Sequence, residues 1–322
     1  METPQRFDER GGEERRIGDR RRSRTITPHL GTPIAADDRL GFPLRSHELD
    51  ARVREALSED GAFGDVTTIA CIRSDRRAHA AIIARAAGVI SGVPLAVCAF
   101  RLLDPDVAIR VDVDDGAPVT AGGAVMRITG LARAMLSAER VALNFLQRLS
   151  GISTLTARYV DAIRGTGAAI VDTRKTIPGF RALEKYAVRA AGATNDRLSL
   201  AETVVIKDNH LAAAGRDIAF AVRRVREYFD HSVRVEVECT SVRQVGAALD
   251  AGADIILIDG FSLDQIRDCA EIVAGRAALE VSGPLGVDGI RAVANAGAQR
   301  VSVAALTQAA QPLDLTLTLE PS

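Results

Sequence analysis

Two hydrophobic rhythms divide this chain. The first begins at Ser46, where Ser46-His47-Glu48-Leu49 reads as a capped helix start with Leu49, Val53 and Leu57 on one stripe. AAIIARAAGVISG, VAIRVDVDDG and AVMRITG follow, short, β-branched and partly alternating, bounded by Gly and Pro. They predict a mainly antiparallel sheet with a helix or two across residues 46–135. Next, LSAERVALNFLQRLSGISTLTARYVDAIRGTG carries apolar residues at helical spacing, which predicts one long helix, or two broken near Gly151.

After Gly167 the rhythm becomes strand, connection, helix, repeated. Predicted strands are residues 168–174, 203–208, 233–238, 254–260, 278–283 and 300–305, and amphipathic stretches such as SVRQVGAALDAG and LDQIRDCAEIVAG lie between them. Near-continuously apolar strands alternating with helices mean a parallel sheet buried on both faces. Six such units predict a (β/α) barrel, complete or incomplete, in preference to an open doubly wound sheet. No GxGxxG follows the first of these strands, which lowers a dinucleotide-binding alternative. The domain boundaries read as an Arg-rich, disordered tail at 1–44, an N-terminal domain with its linking helix at 45–148, the barrel at 149–310, and a C-terminal segment at 311–322. In the tail, ERRIGDRRRSR has too few apolar neighbours for a core. A basic arm touching nucleic acid is the minor alternative there, and Glu2, Asp8, Glu9, Glu13, Glu14 and Asp19 make it too acidic for a mitochondrial-type transit segment.

Composition narrows the function. Net charge is −1, so nothing global points to nucleic acid or a membrane surface. No apolar run reaches the roughly 18 to 20 residues of a spanning helix. Cys71, Cys98, Cys239 and Cys269 are scattered, with no CxxC and no nearby His, which argues against zinc and disulfides and suits a reducing cytoplasm. Of 41 basic residues only Lys175, Lys185 and Lys207 are lysine, all inside the span 175–207. Either a compact point charge is needed there, or the clustering is accidental.

Each predicted strand ends on a polar or small residue: Arg174 with Lys175, Lys207 with Asp208, Glu238, Asp259, Ser282 with Gly283, and Ala304. The C-terminal strand ends of a parallel barrel converge on one rim, where such enzymes keep their sites. Arg174, Lys175, Lys207 and Arg197 would share a small volume, and two like charges about 6 Å apart at an effective dielectric near 20 repel by roughly 3 kcal/mol. An anionic ligand accounts for that gathering. The alternative is a buried network in which Glu238, Asp259 and Asp208 neutralise the cations. Glu238 and Asp259, on consecutive strands, suit a ribose diol, a hydrated Mg²⁺ or a developing positive charge on a sugar carbon. Ser282-Gly283 and Val303-Ala304-Ala305 offer backbone N–H groups to a phosphate, although Pro284 has none. His210, just past a strand end, reads as a cap before a catalytic group.

GDVTT (64–68), ERVALNFLQRLSGI (139–152), DTRKTIPGFRALEKYAVRAAG (172–192) and IKDNH (206–210) resemble the nicotinate-nucleotide pyrophosphorylases, or quinolinate phosphoribosyltransferases. The similarity spans about Ala56 to Leu315. It implies a mixed α/β N-terminal domain packed on an open (incomplete) parallel α/β barrel, in a homodimer or larger assembly. It also implies an enzyme that combines quinolinate with phosphoribosyl pyrophosphate and Mg²⁺, giving nicotinate mononucleotide, pyrophosphate and CO₂ in de novo NAD biosynthesis. It implies that Arg140 reaches the partner's pocket, and that Thr173, Arg174, Lys175, Arg197 and Lys207 hold the substrate carboxylates and phosphates. It further implies that Glu238 and Asp259, catalytic together with Lys207, hold the ribose and the Mg²⁺-bound donor. Ser282, Gly283 and Pro284, with Val303, Ala304 and Ala305, would bind the 5′-phosphate. The chain departs from the family pattern at Asp196 (usually His), Gly260 (commonly Asn), Pro284 and Ala304 (usual glycines) and Gln308 (usually His). The rival readings are a relative with another acceptor, such as the family's molybdenum-locus branch, a Schiff-base lyase using Lys207 or Lys175, and a non-catalytic anion-binding homologue.

Overall fold

The computed structural model describes residues 41–321 except 216, 230 and 231. Of the expected tail at 1–44, residues 1–40 therefore lie outside the described part. The elements in chain order are α1 (Ser46–Glu59), α2 (Val66–Cys71), β1 (Arg77–Ala84), β2 (Gly88–Val89), α3 (Val93–Leu103), β3 (Ala108–Val111), β4 (Pro118–Val119), β5 (Ala124–Leu131) and α4 (Ala132–Ala162). After these come β6 (Ala169–Val171), α5 (Arg181–Ala190), β7 (Val204–Ile206), α6 (Asp208–Ala214), α7 (Ile218–Phe229), β8 (Val235–Cys239), α8 (Val242–Asp250) and β9 (Ile255–Asp259). The last are α9 (Leu263–Val273), β10 (Ala278–Ser282), α10 (Val287–Asn295), β11 (Arg300–Ser302), α11 (Ala305–Gln308) and β12 (Leu315–Pro321).

The first sheet runs β12-β1-β5-β3 and is antiparallel, as the alternation predicts. Along β1, Ala78, Ala80, Ile82 and Ala84 are buried while the residues between them are not. One face therefore packs on the core and the other meets water. The edge strand β12 comes from the chain's C-terminal segment, paired so that Ala84 faces Leu315. Its Leu315-Thr316-Leu317-Thr318-Leu319 is the same period-two signal, a strand the sequence reading left unassigned.

Helix α4 is one continuous helix of 31 residues, about 46 Å long at 1.5 Å per residue. It passes straight through Gly151, and the glycine serves packing: a Cβ there would lie 2.1 Å from the Gln311 carbonyl oxygen. The backbone at 311–312, on its way to β12, lies against α4 because position 151 has no side chain.

The second main sheet is parallel, in the order β6-β11-β10-β9-β8-β7. Ile255, Ile256, Leu257 and Ile258 of β9 are all buried, which a strand covered on both faces requires. No ladder joins β6 to β7 among the described residues, so the barrel is open there, as expected. A single parallel bridge, Val171 to Thr194, adds the segment after α5 to the free edge of β6. The strands are shorter than the apolar runs suggested, so that Thr173, Arg174, Lys175 and Lys207 stand just beyond the last ladder bonds. That is where a side chain is free to face a ligand.

Candidate active site

A cavity of about 830 Å³ opens at the C-terminal ends of the parallel strands. Thr173, Arg174 and Lys175 enter it after β6, Lys207 after β7, Glu238 from β8 and Asp259 from β9. Ser282, Gly283 and Pro284 follow β10, and Val303, Ala304 and Ala305 follow β11. Arg197 and Asp196 reach it from the segment that bridges the open side. Three charged residues singled out by sequence lie elsewhere. Asp208 heads α6 in an exposed position and does not line the cavity. Lys185 is fully buried and likewise outside the lining. Arg140 is exposed on α4, away from this chain's own cavity.

The cations are only partly neutralised. Lys207 is ion-paired with Glu238 across neighbouring strands. Arg197 donates through Nη1 to the Thr203 carbonyl at 2.7 Å, but its Nε–H is buried with no acceptor among the described residues, and so is the Nε–H of Arg174. Burial, and then the Arg174 charge, press the Arg197 pKa below the usual arginine value. Both side chains line the cavity, and a buried guanidinium donor without an acceptor is costly.

Acids hidden inside the strands escaped the sequence reading. Valine–glutamate alternation in β8 puts Glu236 on the same face as Glu238, one layer deeper, and Glu280 occupies the matching layer of β10. Burial, helped by Glu280 and Asp196, raises the Glu236 carboxyl well above the usual carboxylate range. Glu280 accepts from Arg300 Nε at 2.6 Å, and Asp172 from Lys185 Nζ at 2.5 Å. Four cations and six carboxyls line the cavity. Glu280 and Asp172 are paired with cations behind the wall, and Asp196, Glu238 and Asp259 stand against Arg174, Lys175, Arg197 and Lys207. The cations lie toward the two free sheet edges, and Glu238 and Asp259 end β8 and β9 between them.

Local chemistry accounts for several of the remaining positions. The His210 ring accepts from the Lys207 backbone N–H at 3.0 Å, a helix cap for α6. Gly260 has φ +74°, a region that glycine and asparagine both enter, so Gly260 keeps the turn that an asparagine would make. Ala304 sits in right-handed helical geometry, φ −68°, where a glycine has no advantage. The Val303 N–H is spent on the Val171 carbonyl at 2.9 Å, so it is not free for a ligand. On the neighbouring turn, the Tyr159 hydroxyl of α4 donates to the Leu285 carbonyl at 2.8 Å and anchors it.

Known proteins match this architecture. Residues 65–150 match the family model "Quinolinate phosphoribosyl transferase, N-terminal domain", and residues 152–318 match "Quinolinate phosphoribosyl transferase, C-terminal domain". The two meet beside Gly151, inside α4. The chain is 40% identical over 278 residues to the nicotinate-nucleotide pyrophosphorylase (carboxylating) of Mycobacterium leprae (strain TN), covering 83% of this chain and 95% of that protein. It is 37% identical over 259 residues to the probable enzyme of the same name from Bacillus subtilis (strain 168), covering 80% and 89%. Among solved structures, NadC from Streptococcus pyogenes superposes with a TM-score of 0.82 at 37% identity, covering 87% of this chain and 99% of that one.

Proposed function

The chain belongs to the quinolinate phosphoribosyltransferase family, and on that premise we propose that it joins quinolinate to phosphoribosyl pyrophosphate and releases pyrophosphate and CO₂, yielding nicotinate mononucleotide for NAD synthesis. The observation that carries this reading is the gathering of Arg174, Lys175, Arg197 and Lys207 on one cavity, with the buried Nε–H groups of Arg174 and Arg197 lacking an acceptor among the described residues. A planar acceptor with two adjacent carboxylates fits two guanidinium forks better than any monoanion does.

Two anions must meet in this reaction, and in water they repel. Arg174, Lys175, Arg197 and Lys207 remove that repulsion in advance and hold the pyridine nitrogen in line with the anomeric carbon. Nitrogen forms the new bond to that carbon as pyrophosphate leaves. Glu238 and Asp259, beside the ribose, steady the positive charge that develops on the sugar and accept its hydroxyl protons in hydrogen bonds. The positive pyridinium nitrogen then stabilises the electron pair left on the adjacent ring carbon when its carboxylate departs as CO₂, and a proton from solvent takes the carboxylate's place on that carbon. Gly283 with Ala304 and Ala305 offer backbone N–H groups to the 5′-phosphate. Lys207 has two tasks: it offsets Glu238 and presents an ammonium to the incoming anions.

Mg²⁺ fits this donor set. Glu238 and Asp259 supply hard oxygens from adjacent strands, and no cluster of three or more His, Cys, Asp or Glu ligands is found among the described residues. Two carboxylates plus substrate phosphates is the usual arrangement for an ion carried in with its phosphate ligand. When bound, the ion would neutralise the leaving pyrophosphate.

We also propose a homodimer in which Arg140 serves the partner's cavity. Arg140 is exposed on the stripe of α4 that carries Arg133 and Ser137, which bind α2 and its cap: Arg133 Nη2 donates to the Ile69 carbonyl at 2.9 Å, and the Ser137 hydroxyl to Asp65 Oδ2 at 3.0 Å. Phe63, Val66 and Ile69, in and just before α2, are exposed apolar side chains, at 52%, 79% and 52%. Exposed apolar groups on the element that this stripe of α4 binds suit a buried interface. The four free cysteines, three of them buried, agree with a cytoplasmic setting.

The reaction is tested by supplying quinolinate, phosphoribosyl pyrophosphate and Mg²⁺ and measuring nicotinate mononucleotide and CO₂. Equal amounts of both products support the assignment. Product only from a different acid would replace quinolinate as the acceptor.

A further inference from the structure

The three lysines do not share one task. Lys175 and Lys207 line the cavity, whereas Lys185, on α5, is fully buried beneath it. Its ammonium donates to Asp172 Oδ1 at 2.5 Å and to the Asp196 carbonyl at 2.9 Å. Asp172 is the hub of the arrangement. Its Oδ1 also accepts from the Asp196 N–H at 2.7 Å, and its Oδ2 from Asn195 Nδ2 at 2.6 Å. Asn195 in turn donates to the Lys185 carbonyl at 2.9 Å and accepts from Arg189 Nη1 at 2.9 Å. Backbone bonds from Thr194 N to the Ile170 carbonyl and from Asp172 N to the Thr194 carbonyl complete the join. Two chain segments meet here: the end of β6, which carries Arg174 and Lys175, and the 194–197 segment, which carries Arg197.

A buried ion pair is seldom retained for stability, because desolvating both charges consumes most of what their attraction returns. This one sits where it controls an angle. Arg197 follows Asp196 directly, and Asp196 is held at both its N–H and its carbonyl by the Asp172–Lys185 pair. We propose that Lys185 is a positioning residue for the acceptor: through Asp172 it locks the 194–197 segment to the end of β6 and so keeps the Arg197 guanidinium opposite Arg174. A compact ammonium meets this need, since its donors converge on two acceptors in a space fully closed to solvent. The inference rests on the proposed reaction only in naming quinolinate as the acceptor.

The brace touches one side of the cavity only. Glu238, Asp259, Ser282 and Gly283 stand on β8, β9 and β10 and make no hydrogen bond to Asp172 or Lys185. Lys185→Met is therefore expected to raise the KM for quinolinate about tenfold or more while the KM for phosphoribosyl pyrophosphate stays within about twofold. An equal rise in both constants, or an unchanged quinolinate KM in folded protein, overturns the proposal. Asn195→Ala removes three hydrogen bonds from the brace and leaves the Asp172–Lys185 ion pair in place. If Lys185→Met does not fold, the same split in KM, smaller in size, decides on that variant. A crystal structure of whichever variant folds gives a readout free of turnover: Arg197 displaced from Arg174 supports the brace, and Arg197 unmoved rejects it. Wild-type protein that makes no product from quinolinate removes the proposed acceptor but leaves this structural comparison standing.

Discussion

Lys207 and Glu238 are ion-paired across the ends of β7 and β8, yet the cavity between them and Arg174 stays open at about 830 Å³. A pocket whose cations were all satisfied internally would have nothing to offer an anion. Here only one of the four lining cations is paired within the cavity wall, and the Nε–H groups of Arg174 and Arg197 lack acceptors among the described residues. The pair keeps Lys207 in place until substrate arrives. Lys207 remains 45% exposed in its side chain, so the ammonium can exchange one anionic partner for another.

In the proposed site, Lys207→Ala removes the ammonium that meets the incoming anions and leaves Glu238 without its cation. We expect kcat/KM to fall on the order of a hundredfold or more. Thermal stability should barely change, because a half-exposed pair contributes under about 1 kcal/mol to folding. Initial rates and a melting curve on the same preparation check both halves. Wild-type rates from this variant would mean that the pocket is misplaced.

Arg140→Ala and Lys207→Ala should each be inactive as homodimers, for different reasons. If Arg140 completes the partner's cavity, mixing the two variants by co-refolding creates heterodimers with one intact site. Statistical mixing of a two-fold dimer then restores roughly a quarter of the wild-type sites. Activity measured after mixing tests this, and no recovery in a confirmed dimer removes Arg140 from the site.

Asp196 lines the cavity next to Arg197 and adds a negative charge where the acceptor's carboxylates arrive. Asp196→His should lower the quinolinate KM by about tenfold, the effect of relieving roughly 1.4 kcal/mol of repulsion. The hydrogen bonds that the brace makes to residue 196 use its backbone and survive the change. A KM that rises would mean that Asp196 holds Arg197 in place more than it repels substrate.

Burial lifts the Asp172 carboxyl to about 6, although Lys185, the Asp196 N–H and Asn195 all pull it down. Its value in an unfolded chain is about 3.9. Between those two values the fold keeps a proton that the unfolded chain has released. The stability from this group is therefore whole below about pH 3.9 and lost as pH rises through about 6. Urea unfolding of wild type and Asp172→Asn should show the wild-type margin greatest near pH 4 and narrowing toward neutrality. A margin that widens over that range contradicts the assignment.

Much of the fold could be read from the chain because its signals are local. Ile255–Ile258 announce a strand covered on both faces, and the polar residues that end each apolar run mark the rim. What escaped was set by contacts distant in sequence. Gly151 looks like a helix breaker until the Gln311 backbone is placed against it. Lys185 clusters in sequence with Lys175 and Lys207, but helix α5 turns it into the interior. Asp208 ends an apolar run like the other rim residues, but α6 starts there and carries it outside. Glu236 and Glu280 were legible in principle, since each sits two residues before a rim residue on its own strand and so shares its face. The Leu–Thr alternation of β12 was legible too, but its partner strand β1 lies more than two hundred residues earlier in the chain.

The central claim is that Arg174 and Arg197 together grip two adjacent carboxylates on the acceptor. A crystal structure of the protein with quinolinate bound tests it most directly. We expect one carboxylate on each guanidinium, with the Nε–H groups of Arg174 and Arg197 both donating to the ligand. Quinolinate seated elsewhere, or within the cavity but touching neither arginine, would contradict it.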